Sequence, residues 1–183
     1  MSVKIVCVSQ KGQLDITKFC KTITWSGNYK ACSRKLEFNI IDAGVDIELS
    51  SYILLYENDL ELFRGYVFER EKSSDGTFSF TCFDCAEKLN KIKVAYNIKN
   101  QTASEISNMI LREIGFEIGS IAKSSVNVNK VFIGVSIYDV LMTAYTYQHR
   151  EDSKSYMIYA DKGKICTSEK GVVKLKVKFE EGK

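Results

Sequence analysis

The chain contains no proline, one histidine and one tryptophan, and its net charge is only +3, from 26 basic and 23 acidic residues. Without proline every turn must be made by Gly, Asn, Asp or Ser, and proline-rich linkers and slow cis-proline folding phases are excluded. The mixed, nearly balanced charge lacks the concentrated basic footprint that nucleic-acid binding requires. No segment approaches the roughly 18 consecutive apolar residues of a membrane helix, and Met1–Ser9 carries no cleavage-like region, so no membrane insertion and synthesis in a bacterial cytoplasm are expected. Gly12, Gly27, Gly44 and Gly65 stand isolated, which excludes a glycine-rich phosphate loop.

What is present is an ordinary globular composition, 45% apolar and 27% charged over 183 residues, enough for one domain or two small ones. Its centre is the stretch Ser51 to Phe83. Ser51–Glu57 and Leu62–Arg70 read as antiparallel strands joined at Asn58-Asp59. Ser73–Gly76 then turns the chain into a third strand in which Phe78, Phe80 and Cys82 alternate with Thr77, Ser79, Thr81 and Phe83. Which face of this meander is inside is open, because Tyr52, Leu54 and Tyr56 compete with Ile53 and Leu55. Upstream, residues 3–8, Ile23–Trp25 and Lys35–Ile40 read as further strands, the last with Leu36, Phe38 and Ile40 on one face. About six strands with short connections and no covering helix predict a small antiparallel β-barrel.

The pattern changes after residue 84. Asp84–Asn90 reads as a short helix capped by Asp84, and Lys93–Tyr96 as a brief strand. Thr102-Ala-Ser-Glu105 is a capping box that opens an amphipathic helix bearing Ile106, Met109 and Ile110 and ending at Gly115. Ser136–Asp139 opens a second helix carrying Val140, Leu141 and Ala144. Ser155–Tyr159, Lys164–Thr167 and Val173–Phe179 return to strands, the last alternating with Lys174, Lys176 and Lys178. The expected fold is therefore α+β and β-rich, with an N-terminal barrel over 1–95 and a smaller unit of two helices and C-terminal strands over 96–183.

Candidate sites are few. Cys82 and Cys85 form a Cys-x-x-Cys where a strand meets a helix, yet an acidic residue lies between them and no βαβ context surrounds them. Zinc would need two further ligands, and Cys7, Cys20, Cys32 and Cys166 are distant and unpaired, so the six cysteines read as reduced, mostly buried thiols. His149 sits at the polar end of a helix, where a histidine meets the dipole favourably. Asp42, Asp46 and Glu48 could pair carboxylates for glycoside hydrolysis, but their spacing defines no cleft. The lysine strip at 174, 176 and 178 is flanked by Glu169, Glu180 and Glu181 and reads as a solvated face. Ten tyrosines and ten phenylalanines exceed what so small a core must bury, which points to an interface. No catalytic, metal or cofactor-binding residue emerges.

Trp25-Ser-Gly27, Ser33–Phe38, Leu62–Val67, Asp75–Asp84, Leu89 and Thr102–Ile106 together resemble the baseplate hub proteins of contractile-tailed phages, defective prophage particles and phage-tail-like bacteriocins. This is the late control gene D type family in its Gram-positive prophage form, and the resemblance covers roughly residues 20 to 170. It implies a homotrimer whose subunits each give two related barrels to a pseudo-sixfold ring, between the tail tube or tube initiator and the central spike. It implies no enzymatic turnover, and it makes Trp25, Gly65, Phe80, Cys82 and Phe83 fold-supporting positions. Relatives of this kind are longer, so the second barrel is expected to be incomplete and a second hub chain becomes a possible partner. Two other classes stay open: a tail-associated cell-wall hydrolase using Asp84 or Glu105, and a peptide- or glycan-binding module using exposed tyrosines beside Trp25.

Overall fold

The computed structural model describes residues 2–10, 12–28, 31–41 and 44–171. The chain begins with a hairpin, β1 (Val3–Ser9) and β2 (Gly12–Asp15), and a 3-10 turn at Thr17–Phe19 leads into β3 (Cys20–Gly27). Next come β4 (Arg34–Ile41), β5 (Tyr52–Glu57), β6 (Leu60–Lys72) and β7 (Thr77–Asp84). All pair antiparallel in one seven-stranded sheet of order β2-β1-β5-β6-β7-β4-β3. The turns follow from residues that tolerate positive φ. Asn58 and Asp59 lie at +46° and +65° and close the β5–β6 hairpin, while Gly76 at +77° closes β6–β7.

The sheet has to curl. Consecutive strands β2 and β3 occupy its opposite edges, and the five steps from Asp15 to Cys20 span at most about 17 Å. Laid flat, six inter-strand spacings would separate those edges by about 29 Å. The 3-10 turn is pinned to β1, with Ile16 N–H donating to the Ile5 carbonyl (3.0 Å) and Thr17 Oγ1 accepting the Ile5 N–H (3.0 Å). No ladder joins β2 to β3 among the described residues, so the expected barrel is a half-barrel with an open seam. The seventh strand, β2, has no counterpart in the sequence reading because its four residues are all exposed and show no apolar alternation.

Inside the curl, Leu36, Phe38 and Ile40 of β4 lie opposite Cys82, Phe80 and Phe78 of β7. The Phe38 and Phe80 rings stack at 5.0 Å. The meander's inner face is decided: Ile53, Leu55 and Phe63 are buried in this core, and Tyr52 points out, 52% exposed.

A second core follows. After α1 (Glu87–Lys91), the long strand β8 (Lys93–Thr102) pairs with β9 (Asn127–Ser136), which brackets the capped helix α2 (Ala103–Ile114) and the extended segment after it. Helix α3 (Ile137–Asp152) and the hairpin of β10 (Tyr156–Asp161) and β11 (Lys164–Glu169) complete the unit. Both predicted caps form, Thr102 accepting the Glu105 N–H and Ser136 the Asp139 N–H, and Gly115 ends α2 in the left-handed region at φ +85°. The inward faces of α2 (Ile106, Ile110, Leu111) and α3 (Val140, Leu141, Ala144) pack with Ile98 and Phe132 of the ribbon. Tyr145, fully buried, donates to the Ala122 carbonyl (2.9 Å) and accepts from the Thr167 hydroxyl (2.8 Å). The architecture is α+β and β-rich. The predicted strand Val173–Phe179, with Lys174, Lys176 and Lys178, and the carboxylate Asp42 lie outside the described residues.

Candidate functional site

Among the described residues, the reactive groups singled out in the sequence do not converge. Cys82 is fully buried in the half-barrel core, whereas Cys85 packs against the second core and donates to the Gly163 carbonyl (3.3 Å). Burial pushes the thiols of Cys7, Cys20, Cys32, Cys82 and Cys85 upward, Cys85 and Cys32 to about 12 and Cys20 to about 11, which disfavours their thiolates near neutral pH. His149 is exposed at the end of α3 with Nδ1 2.8 Å from the Lys154 carbonyl. Asp46 reaches Arg70 at 3.4 Å, Glu48 lies exposed on the surface, and Glu105 is occupied by its capping box. No group of three His, Cys, Asp or Glu side chains placed to hold a metal occurs among the described residues.

Asp84 has a structural occupation. Its two carboxylate oxygens accept the backbone N–H groups of Arg34 (2.9 Å) and Ala86 (3.0 Å), tying β4 to the start of α1. The sequence placed it as a helix cap; α1 begins three residues later, with Ala86 at the cap position and no side-chain bond there. Burial pushes its pKa up to about 6, against those two hydrogen bonds. A groove of about 580 Å³ runs between Arg34 and Cys32 on one side and Tyr138, Met142 and β10 on the other. Among the described residues its lining carries no Asp, Glu or His, and its titratable side chains are Cys32, Arg34, Tyr138, Tyr156, Tyr159 and Lys170.

The five fold-supporting candidates differ in their packing: Gly65, Phe80 and Cys82 are buried, and Trp25 and Phe83 are half-buried. A methyl group on Gly65 would collide with the Phe83 carbonyl and the Phe63 ring, so the close approach of β6 to β7 requires glycine. Phe80 and Cys82 are buried inside, Phe83 is half-buried on the outer face, edge-to-face with Phe68 at 5.5 Å, and Trp25 is half-buried at the seam beneath Arg34 (5.6 Å).

What the side chains do build is an outer sheet face. Register places Tyr52, Tyr66 and Phe83 side by side across β5, β6 and β7, with Phe68, 47% exposed, over the bulge beside them. The next two cross-strand rows are wholly polar. One runs Thr24, Glu37, Thr81 and Glu69; the other runs Thr22, Asn39, Ser79 and Glu71. These rows contain three carboxylates and no basic residue. A second exposed face lies on the β8–β9 ribbon, where Lys93, Ala95, Asn97 and Lys99 alternate outward beside Val131 (58% exposed) and Ile133 (77% exposed). Sequence reasoning registered the surplus aromatics but missed the rows, since they exist only once four strands are in register.

Residues 23–183 match the sequence profile of the YQBQ-like family. The chain belongs to that family. Within it, or near it, stand two proteins of Bacillus subtilis (strain 168). YqbQ is 31% identical over 107 residues, covering 57% of this chain and 32% of YqbQ. XkdQ, of the phage-like element PBSX, is 25% identical over 155 residues, covering 79% of this chain and 46% of XkdQ. This YQBQ-like chain thus spans less than half the length of either relative. Its fold is shared with the 43 kDa tail protein of prophage MuSo2 from Shewanella oneidensis, at a TM-score of 0.71 and 15% identity, over 90% of this chain and 52% of that protein.

Proposed function

We propose that this YQBQ-like chain is a structural component of a phage tail or tail-like particle, and within it of the baseplate hub that links tube to spike, without catalytic turnover. The observation that carries this reading is the pairing of two exposed, contact-ready sheet faces with reactive groups that are scattered, buried or already hydrogen-bonded, on the fold of a prophage tail protein. Its partners on this reading are further copies of itself in a trimer, the tube or its initiator, the spike, and a second hub chain. It is made in the bacterial cytoplasm and assembled into the tail. Two units, 1–95 and 96–183, share the work, with α1 and the start of β8 packed on the second core. Trp25, Gly65, Phe80, Cys82 and Phe83 support the first.

The test is to carry an epitope tag on the chain in a particle-producing lysogen and locate it by electron microscopy of induced particles. A label confined to the baseplate end is expected. Normal particles assembled in a strain deleted for the chain, or label along the whole tube, would overturn the hub reading.

A further inference from the structure

We propose that the two exposed faces bind each other between copies: the outer face of the half-barrel on one copy receives the β8–β9 ribbon of the next. This rests on the tail-assembly reading above and names the surfaces through which the subunits meet.

The two faces are matched in chemistry. The half-barrel face presents Glu69 and Glu71 beside the aromatic strip, neither with an ion-pair partner among the described residues, and Glu37, which pairs with Lys35 of the same face at 3.0 Å. The ribbon's twenty residues include three lysines and no acidic residue, and Lys93 and Lys99 likewise form no ion pair among the described residues. Between those lysines lies an apolar centre of Ala95, Val131 and Ile133, so the ribbon shows an apolar middle with a charged rim, the anatomy of an interface. Its counterpart has the same composition with the opposite charge: aromatic rings, of which Tyr52 and Phe68 are about half exposed, next to a carboxylate-rich field.

Glu69 and Glu71 stand two residues, roughly 6.7 Å, apart on β6, and Lys93 and Lys99 stand six residues, roughly 20 Å, apart on β8, so the lysines bracket the carboxylate pair from its two sides. The two faces lie on different units of one chain and differ from each other, so the contact is heterologous and closes into a ring if the rotation permits. The ribbon footprint, ten residues by two strands, is roughly 300 Å², well below the ~800 Å² per partner of a standard stable interface. Pairwise association is therefore weak and salt-sensitive, and the ring is held by several such contacts together.

The test is sedimentation equilibrium of the chain over a range of concentrations at low salt and in roughly 1 M salt, where the Debye length falls to about 3 Å. Two variants are compared, K93E/K99E on the ribbon and E69K/E71K on the sheet, each checked for folding by circular dichroism and thermal melting. The wild type is expected to self-associate, and at least about tenfold more weakly in high salt. Each variant alone juxtaposes like charges and is expected to stay monomeric. An equimolar mixture of the two again puts opposite charges on facing surfaces and is expected to associate. A wild type that is monomeric throughout, variants that associate like the wild type, or a mixture of folded variants that fails to recover would each overturn the contact. Baseplate-end labelling of particles together with any of those results leaves the tail role standing and removes only these surfaces.

Discussion

Replacing Gly65 by alanine tests the packing of the half-barrel at its narrowest point. A Cβ there points into the core and meets the Phe83 carbonyl oxygen and the Phe63 ring. The ring can turn, but the carbonyl belongs to the strand paired with β6, where Tyr66 lies opposite Phe83, and cannot withdraw without disturbing the ladder. Overpacking of this kind costs about 1–3 kcal/mol, and an immovable neighbour places it near 3. Restricting the unfolded chain returns roughly 0.4–1 kcal/mol, leaving a net loss of about 2 kcal/mol. For a chain of this length that lowers the melting temperature by roughly 4–8 °C. Urea unfolding followed by the emission of Trp25, the one tryptophan, reads the half-barrel directly because Trp25 packs against its core. In a Phe63→Leu background the ring part of the collision disappears and the carbonyl part persists, so the cost of Gly65→Ala should shrink but stay positive. Stability of the single variant within ~0.5 kcal/mol of wild type would refute the argument, and so would a cost that vanishes with Phe63→Leu.

Asp84 supplies a pH test. Its folded pKa of about 6 lies above the ordinary 3.8, so its contribution to stability is fully present below pH ~3.8 and is lost as pH rises through ~6. Asp84→Asn should therefore compare better with wild type at pH 7.5 than at pH 4.5, by about 2 kcal/mol in denaturant titrations; a difference flat with pH would contradict the assignment. Tyr145→Phe strips a partner from the part-buried Ala122 carbonyl and the buried Thr167 hydroxyl and is expected to cost about 1–3 kcal/mol, measured by thermal melting. Thr102→Ala removes the capping box of α2 and should cost about 1 kcal/mol in the same assay. Thiol titration at pH 8 should leave Cys32 and Cys82 unmodified in the native chain and label all six cysteines only after unfolding; rapid native labelling of either would disprove its burial.

Local chemistry was legible wherever it is self-contained. The Asn58-Asp59 turn, the Thr102 and Ser136 caps, the Gly115 stop and the alternation of Leu36, Phe38 and Ile40 each need only a few adjacent residues, and each is found in the structure. β9 was not legible, because Asn127–Ser136 becomes a strand by pairing with β8 across α2, and its most exposed residues, Val131 and Ile133, blur the apolar alternation. Asp84 read as a cap because an acidic residue before a helical run usually is one; its second partner, the Arg34 amide, comes from fifty residues away.

The sequence by itself determined the α+β class and the turns and helix ends, since these depend on short-range sterics, hydrogen bonding and composition. Only the tertiary structure decided that Ile53 rather than Tyr52 faces the core, that the barrel stays open at the β2–β3 seam, and that Glu37, Glu69 and Glu71 share one face. Those outcomes rest on the register of strands far apart in the chain, and a shift of one residue would turn every side chain to the opposite face.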